Sequence, residues 1–233
     1  MPPILVYGHP LGSSLGLICA FEWLGHPYRV ARVDMLSEMK APGFARLNAR
    51  QQTPCLVTPT GQVLTETMAI AAWLHAQDTR RAISFEAGSP EHLFAVQVAA
   101  FINTSYFATY VPLWMALEAN GLDEAQLNLL RQLGRDGVQL RHDQLEALVG
   151  DTHFLSGERP GIADALFIGI ARWLDFFELG PRTRWPKLDR IRTRLEQLPA
   201  FEFAQTMEHS GVGESAALVG KVPLAEVIAQ FGA

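Results

Sequence analysis

Gln52-Thr53-Pro54-Cys55-Leu56-Val57, followed by Gly61-Gln62-Val63-Leu64 and then Thr65-Glu66-Thr67-Met68-Ala69-Ile70, reads as a proline-led strand, a glycine-marked turn, a second strand and a helix start. Proline cannot donate a ladder hydrogen bond, so it sits at a strand start, an edge or a bulge, where neighbouring backbone groups stay available. A helix start adds unpaired N–H groups and the positive end of a dipole, which makes the Thr65–Thr67 corner a candidate carboxylate site. An extended, charged peptide would fit both features.

Upstream, strand and helix patterns alternate. Ile4-Leu5-Val6-Tyr7 is a short apolar strand, Gly8 to Ser14 a Gly/Pro-rich loop, Leu15 to Leu24 a helical run stopped at Gly25, and Tyr28 to Val33 a half-buried strand, together a βαβ unit. Ala41 to Ala49 reads as a short helix and Glu66 to Gln77 as a longer one. After Pro90 helical periodicity takes over: Glu91 to Ala119 stops at Asn120-Gly121, Asp123 to Val149 at Gly150, Ile162 to Leu179 at Gly180-Pro181, and Lys187 to Leu198 at Pro199. The Gly- and Ser-rich stretch from His209 to Gly220 precedes a tail helix, apolar at Leu224, Val227, Ile228 and Phe231, that should pack back. The expected architecture is an α/β domain over residues 1–78, a linker over 79–90, and an all-α helical bundle over 91–233.

Composition narrows the function. Over 233 residues, 48% hydrophobic and 18% charged content belongs to an ordinary globular protein, and a net charge of −5 argues against a nucleic-acid surface. The one basic stretch, Arg182 to Arg194, is broken by Asp189 and reads as a solvated helix face. Cys19 and Cys55 lie in apolar runs and form no C-x-x-C, which suits a reducing compartment, and Met1-Pro2-Pro3-Ile4 lacks the pattern of a signal peptide, so a cytoplasmic location is expected. Leu93 to Leu117 carries no charge and is long enough to span a bilayer, but Gln97, Asn103, Thr104, Ser105, Thr109 and Pro112 interrupt it, so a buried bundle helix is the better reading.

Gly12-Ser13-Ser14-Leu15-Gly16 matches the G-x-S-x-G nucleophile elbow, with Asp175 and His209 following in hydrolase order. The context is wrong: only one strand precedes Ser14, and the chain after Pro90 is helical where a hydrolase continues with strands. The seven histidines are scattered and show no metal-ligand spacing, and neither a G-x-G-x-x-G after a strand nor a Walker sequence is present.

Taken in order, these tracts resemble the cytosolic glutathione S-transferase family over nearly the whole chain, with a bacterial active loop of the beta, nu or zeta kind. Leu5-Val6-Tyr7-Gly8-His9-Pro10 through Gly25-His26-Pro27-Tyr28 is similar to its first strand, active loop and first helix; Asn48 to Pro54 to its approach to a cis-proline; Leu64 to Ile70 to its Leu-Thr-Glu-Ser-x-Ala-Ile motif; and Phe154 to Gly157 with Ile162 to Ala165 to its helical-domain signature. The resemblance implies a thioredoxin-like N-terminal domain, a helical C-terminal domain, glutathione as co-substrate without a metal, a small hydrophobic electrophile as the second substrate, and a homodimer. Activity would be conjugation of the glutathione thiolate, with disulfide reduction, isomerisation or non-catalytic binding as alternatives. Two departures stand out: Ala49 replaces the family proline, and Gly161 replaces the Ser or Thr cap three residues before Asp164.

Given that resemblance, chemistry suggests the roles. Thr53, just before Pro54, would pair by its backbone with the middle of the peptide, as in strand addition; Thr67 would hold the γ-glutamyl carboxylate, with Glu66 orienting the amine and Gln52 reaching the glycine end. Simple helix capping is the competing role for Glu66 and Thr67. A thiol titrates near 8.5, so lowering it by about two units takes roughly 2.7 kcal/mol of selective thiolate stabilisation. A hydroxyl hydrogen bond and the first helix's dipole could supply it. Ser13 is the preferred hydroxyl, aligned by its distance from Gly25 with the beta-type cysteine or nu-type asparagine; Ser14 is second, one of the two being free to cap the helix, and Tyr7 third. Tyr106, Phe107, Tyr110 and Trp114, at helical spacing, are the expected lining of the acceptor pocket.

Overall fold

In a computed structural model that describes residues 1–232, the chain runs β1 (Ile4–His9), α1 (Leu15–Leu24), β2 (Tyr28–Asp34), α2 (Pro42–Ala45), β3 (Cys55–Val57), β4 (Val63–Leu64), α3 (Thr67–Gln77), α4 (Pro90–Phe101), α5 (Val111–Glu118), α6 (Glu124–Leu148), α7 (Ile162–Ala171), α8 (Trp173–Phe176), α9 (Pro186–Glu196), α10 (Pro199–Ser210), β5 (Leu218–Lys221) and α11 (Leu224–Phe231). Two compact units result: Met1–Phe85 together with the chain from Glu196 onward, and Glu86–Leu195. The thioredoxin-like and helical parts both form, but the tail groups with the first unit and not with the helices. The linker expected from residue 79 is ordered up to residue 85. Asp78 accepts from the N–H groups of Ala82 and Ile83 and from the Ser84 hydroxyl, so this stretch is wrapped around one carboxylate.

In the first unit the sheet order is β4-β3-β1-β2-β5, with β1 parallel to β2 and antiparallel to β3, and β5 parallel to β2. A central strand covered on both faces must be apolar throughout, which explains why Ile4, Leu5, Val6 and Tyr7 are all buried. Ile4 and Val6 point into a cluster with Val33, Phe44, Cys55, Val57 and Val227. Tyr7 donates its hydroxyl to the Met207 carbonyl of α10. Helix α1 stops where Gly25 takes φ 69° and returns its N–H to the Phe21 carbonyl.

In the second unit α7 is buried over its whole length, which is why its sequence is apolar all round apart from Asp164. The expected helix from Glu91 to Ala119 is interrupted: a π turn at Ile102–Tyr106 and a 3₁₀ turn at Phe107–Tyr110 separate α4 from α5. Pro112 removes one N–H and crowds the carbonyl four residues back, and Thr109 hydrogen-bonds the Tyr106 carbonyl, so the backbone changes pitch there. Among the described residues no helix is long and apolar enough to cross a membrane. The basic stretch is also less solvated than expected. Arg192 is buried, donating to the Ala171 carbonyl at 2.8 Å and to Asp175.

His142 of α6 is buried, with Nε2 3.0 Å from the Tyr106 hydroxyl and Nδ1 3.0 Å from the Val138 carbonyl. Burial pushes its pKa down from 6.5 to about 4. A depressed histidine favours the neutral form in the folded state, so its contribution is present above the unfolded value near 6.5 and fades as pH falls toward 4. Between pH 7 and pH 5 the chain should lose about 2 kcal/mol through this one group. Denaturant titrations at the two pH values should show this extra loss in the wild type and its disappearance in His142→Gln.

Candidate functional site

The loop between β1 and α1 closes tightly on itself. A Cβ on Gly12 would lie 2.3 Å from the Gly8 carbonyl oxygen, and one on Gly8 would lie 2.4 Å from both Thr53 Oγ1 and Met35 Sδ, so no side chain fits at either position. That contact places the start of the loop against the residue before Pro54, whose peptide bond is cis. Ser14 is 1% exposed, and its Oγ accepts the Gly8 N–H at 2.9 Å. It makes no helix cap; it cross-braces the loop. Ser13 is half-exposed. The N–H groups of Leu15, Gly16 and Leu17 turn back onto the carbonyls of Gly12, Ser13 and Ser14, closing the first turn of this helix end.

Tyr7 does not fit a catalytic role. It is 1% exposed, its hydroxyl is given to Met207, and burial pushes its pKa far above the usual tyrosine range. Tyr7, the third candidate hydroxyl, is thus a core tyrosine tying β1 to α10. The elbow pattern dissolves in the same way, because the Ser14 hydroxyl is committed to Gly8 and Asp175 is paired with Arg192.

The opening segment keeps its spare backbone groups. The β1–β3 ladder ends at Val6↔Cys55, which leaves the half-buried Thr53 beyond it. Gln52 is exposed, and its carbonyl is held by Asn48 Nδ2 at 2.7 Å. Glu66 is the extended residue before α3, and no side chain caps this helix. Its carboxylate instead pairs with Arg50 at 2.7 Å, in a solvated contact worth a few tenths of a kcal/mol. Capping, the competing role, is not what the Glu66 side chain does. The first-turn N–H groups of α3 from Thr67 onward stay available to an anion.

The helical unit revises the expected acceptor lining. Tyr106 and Tyr110 are both 0% exposed, their hydroxyls 3.3 Å apart and the first also bonded to His142, so their polar atoms are satisfied within the core. Phe107, 37% exposed, packs on Trp173, and Trp114 stacks on Phe176, which is 46% exposed. The exposed apolar side chains of this region include Phe107, Val111, Met115 and Phe176, with Trp114 stacked on the last; sequence periodicity supplied Phe107 and Trp114.

Other residues of the site carried no role in the sequence. Glu208 of α10 accepts the Gly12 N–H at 2.9 Å, and Arg32 of β2 donates to the carbonyls of Glu208 and His209. These partners lie up to 196 positions apart, beyond the reach of local spacing. His9, beside the same group, is held below its usual pKa by burial and by Arg32. Gly8 and Gly12 did leave a local signal, two glycines flanking His9-Pro10-Leu11. Among the described residues no group of three or more His, Cys, Asp or Glu side chains could hold a metal ion.

A thioredoxin-like sheet bearing a cis-proline, joined in one chain to a helical unit, defines the glutathione transferase architecture, and the comparisons agree. Residues 14–77 match the model of the glutathione S-transferase N-terminal domain and residues 128–199 that of the C-terminal domain. The chain belongs to the cytosolic glutathione S-transferase family. It is 25% identical over 208 residues to a maleylacetoacetate isomerase of Pseudomonas aeruginosa, covering 82% of this chain and 90% of that protein. Among solved structures it is similar to a sphingomonad glutathione S-transferase in complex with glutathione, at 19% identity and a TM-score of 0.75, covering 90% of this chain and all of the other. A glutathione S-transferase from Xylella fastidiosa gives 20% identity and a TM-score of 0.77, with 88% and 98% covered. At these identities the two structures speak for the fold alone.

Proposed function

We propose that the chain is a glutathione-dependent transferase that lowers the pKa of the bound thiol at Ser13 and directs the thiolate onto a small apolar electrophile. The observation that carries this reading is the division between the two serines: Ser14 is buried and bonded to Gly8, while Ser13, next to it at the α1 N-terminus, is half-exposed. Thr53 offers backbone beyond the ladder for the cysteinyl unit, Gln52 reaches toward the glycine end, and the uncapped start of α3 at Thr67, with Glu66, takes the γ-glutamyl end. Within the helical unit, Phe107, Trp114 and Phe176 are the aromatic groups we propose for contact with an apolar ligand. A cytoplasmic homodimer is part of the same reading.

Isomerisation is the second reading, favoured by the curated relative. There the same thiolate would add to an activated cis double bond, the resulting single bond would rotate, and the thiolate would leave unchanged. Two assays separate these readings from non-catalytic binding. Millimolar glutathione should raise the melting temperature, and turnover should appear with an aryl halide for conjugation or with a cis-enedione for isomerisation. Absence of a thermal shift would refute the glutathione site, and a shift without turnover of either substrate would leave a binding protein.

A further inference from the structure

The last strand and helix are an addition whose position bears on the site. They lie outside both matched family regions, which end at residue 199. β5 pairs in parallel with β2 from Tyr28↔Leu218 to Val30↔Lys221, closing an edge that would otherwise expose unpaired backbone. α11 then covers a sheet face that α2, with four residues, is too short to cover. Val227 is fully buried there in the cluster that holds Phe44 and Leu47, and Ile228 and Phe231 pack against it. Arg46 reaches the Gly232 carbonyl, and Phe231 lies under the Gly61 turn.

From that cluster the chain leads straight into the glutathione loop. Leu47 precedes Asn48, a buried side chain whose amide holds the Gln52 carbonyl and whose oxygen accepts the Arg50 N–H. Gln51 sits between them at φ 51°, a left-handed conformation that an L-residue keeps only when its surroundings impose it, with its side chain tied to the Met39 and Ala41 carbonyls. The fixed points made by Asn48 and Gln51 therefore rest on the segment that α11 packs against, while Arg50 and Thr53 are held from α3 and from β1 and Met35.

We propose that β5 and α11 are a brace for the loop carrying Gln52 and Thr53, and that docking of this tail sets glutathione affinity without entering the chemistry. The proposal rests on the glutathione reading for its second half only. Val227 is a positioning residue, acting through Leu47 and Asn48.

Hydrogen exchange over residues 39–53, together with KM for glutathione and kcat, decides it in the full-length chain. Val227→Asp should undock the helix and Phe231→Ala loosen it. Both should raise exchange over 39–53 by about fivefold or more, as local opening does. Both should raise KM for glutathione by roughly 5- to 20-fold while kcat stays within about twofold, the pattern of lost uniform binding. Val227→Ile should behave as wild type. Faster exchange confined to the tail, with 39–53 and KM unchanged, overturns the brace, as does a fall in kcat alone. If Val227→Asp unfolds the unit, Phe231→Ala carries the decision. If the wild type shows no glutathione affinity, the functional reading fails, and exchange over 39–53 still tests the brace.

Discussion

Ser13→Ala is expected to lower conjugating turnover at saturating glutathione by roughly 10- to 100-fold while leaving glutathione affinity within a few-fold. The deleted hydroxyl belongs to the half-exposed serine at the start of α1, and a hydrogen bond to a charged acceptor contributes about 1.5–3 kcal/mol. That loss should appear as a rise of about one to two units in the pKa of the bound thiol, read from the ultraviolet absorbance of the thiolate against pH. Affinity survives because the peptide is held elsewhere, by the Thr53 backbone and the start of α3. Ser14→Ala should do the opposite. It strands the buried Gly8 N–H, so stability should fall by about 1–3 kcal/mol, and any loss of activity should follow unfolding. Equal turnover in Ser13→Ala and wild type would shift the role to the backbone N–H groups.

Asp164→Ala is expected to be the most destabilising single change in the helical unit, at about 2–5 kcal/mol, because it strands two buried N–H groups at roughly 1–3 kcal/mol each. The side chain is 0% exposed; Oδ1 accepts the Leu155 N–H at 2.8 Å and Oδ2 the Gly161 N–H at 2.9 Å. One carboxylate thus fastens the loop at residues 155–161 to the start of α7 and fills half of the capping box that Gly161 cannot complete. At 2–4 °C per kcal/mol for a chain of this size, the melting temperature should drop by on the order of 10 °C. Asp164→Asn keeps one acceptor and should fall between alanine and wild type. A loss under about 1 kcal/mol for alanine would mean that water replaces the carboxylate.

The two architectures were legible because their periodicities differ: β1 is continuously apolar as a doubly covered strand must be, and the second half repeats at helical spacing with glycine and proline stops. The tail was only half legible. Leu224, Val227, Ile228 and Phe231 announced a packing helix, but a four-residue strand of Leu, Val, Gly and Lys carries too little pattern to reveal a partner in β2. Hydroxyls deceived for a common reason. Tyr7, Tyr106 and Tyr110 satisfy theirs with Met207 and His142 or with one another, partners that only the folded chain supplies. Ser13 and Ser14 are adjacent and chemically identical, so their roles separate only where the Gly8 N–H selects one of them.

The placement of β5 also has a consequence for synthesis on the ribosome. The first unit is complete only when β5 and α11 have emerged, because its outer strand is encoded more than a hundred positions after Phe85. At ordinary elongation rates the nascent sheet waits on the order of 10 s with the β2 edge open while the helical unit is being made. The helical unit, encoded without interruption, is free to fold first, so the order of folding inverts the order of the halves. A nascent chain in this interval presents an unpaired edge strand to whatever holds it, and that edge closes only after residues 218–221 have emerged.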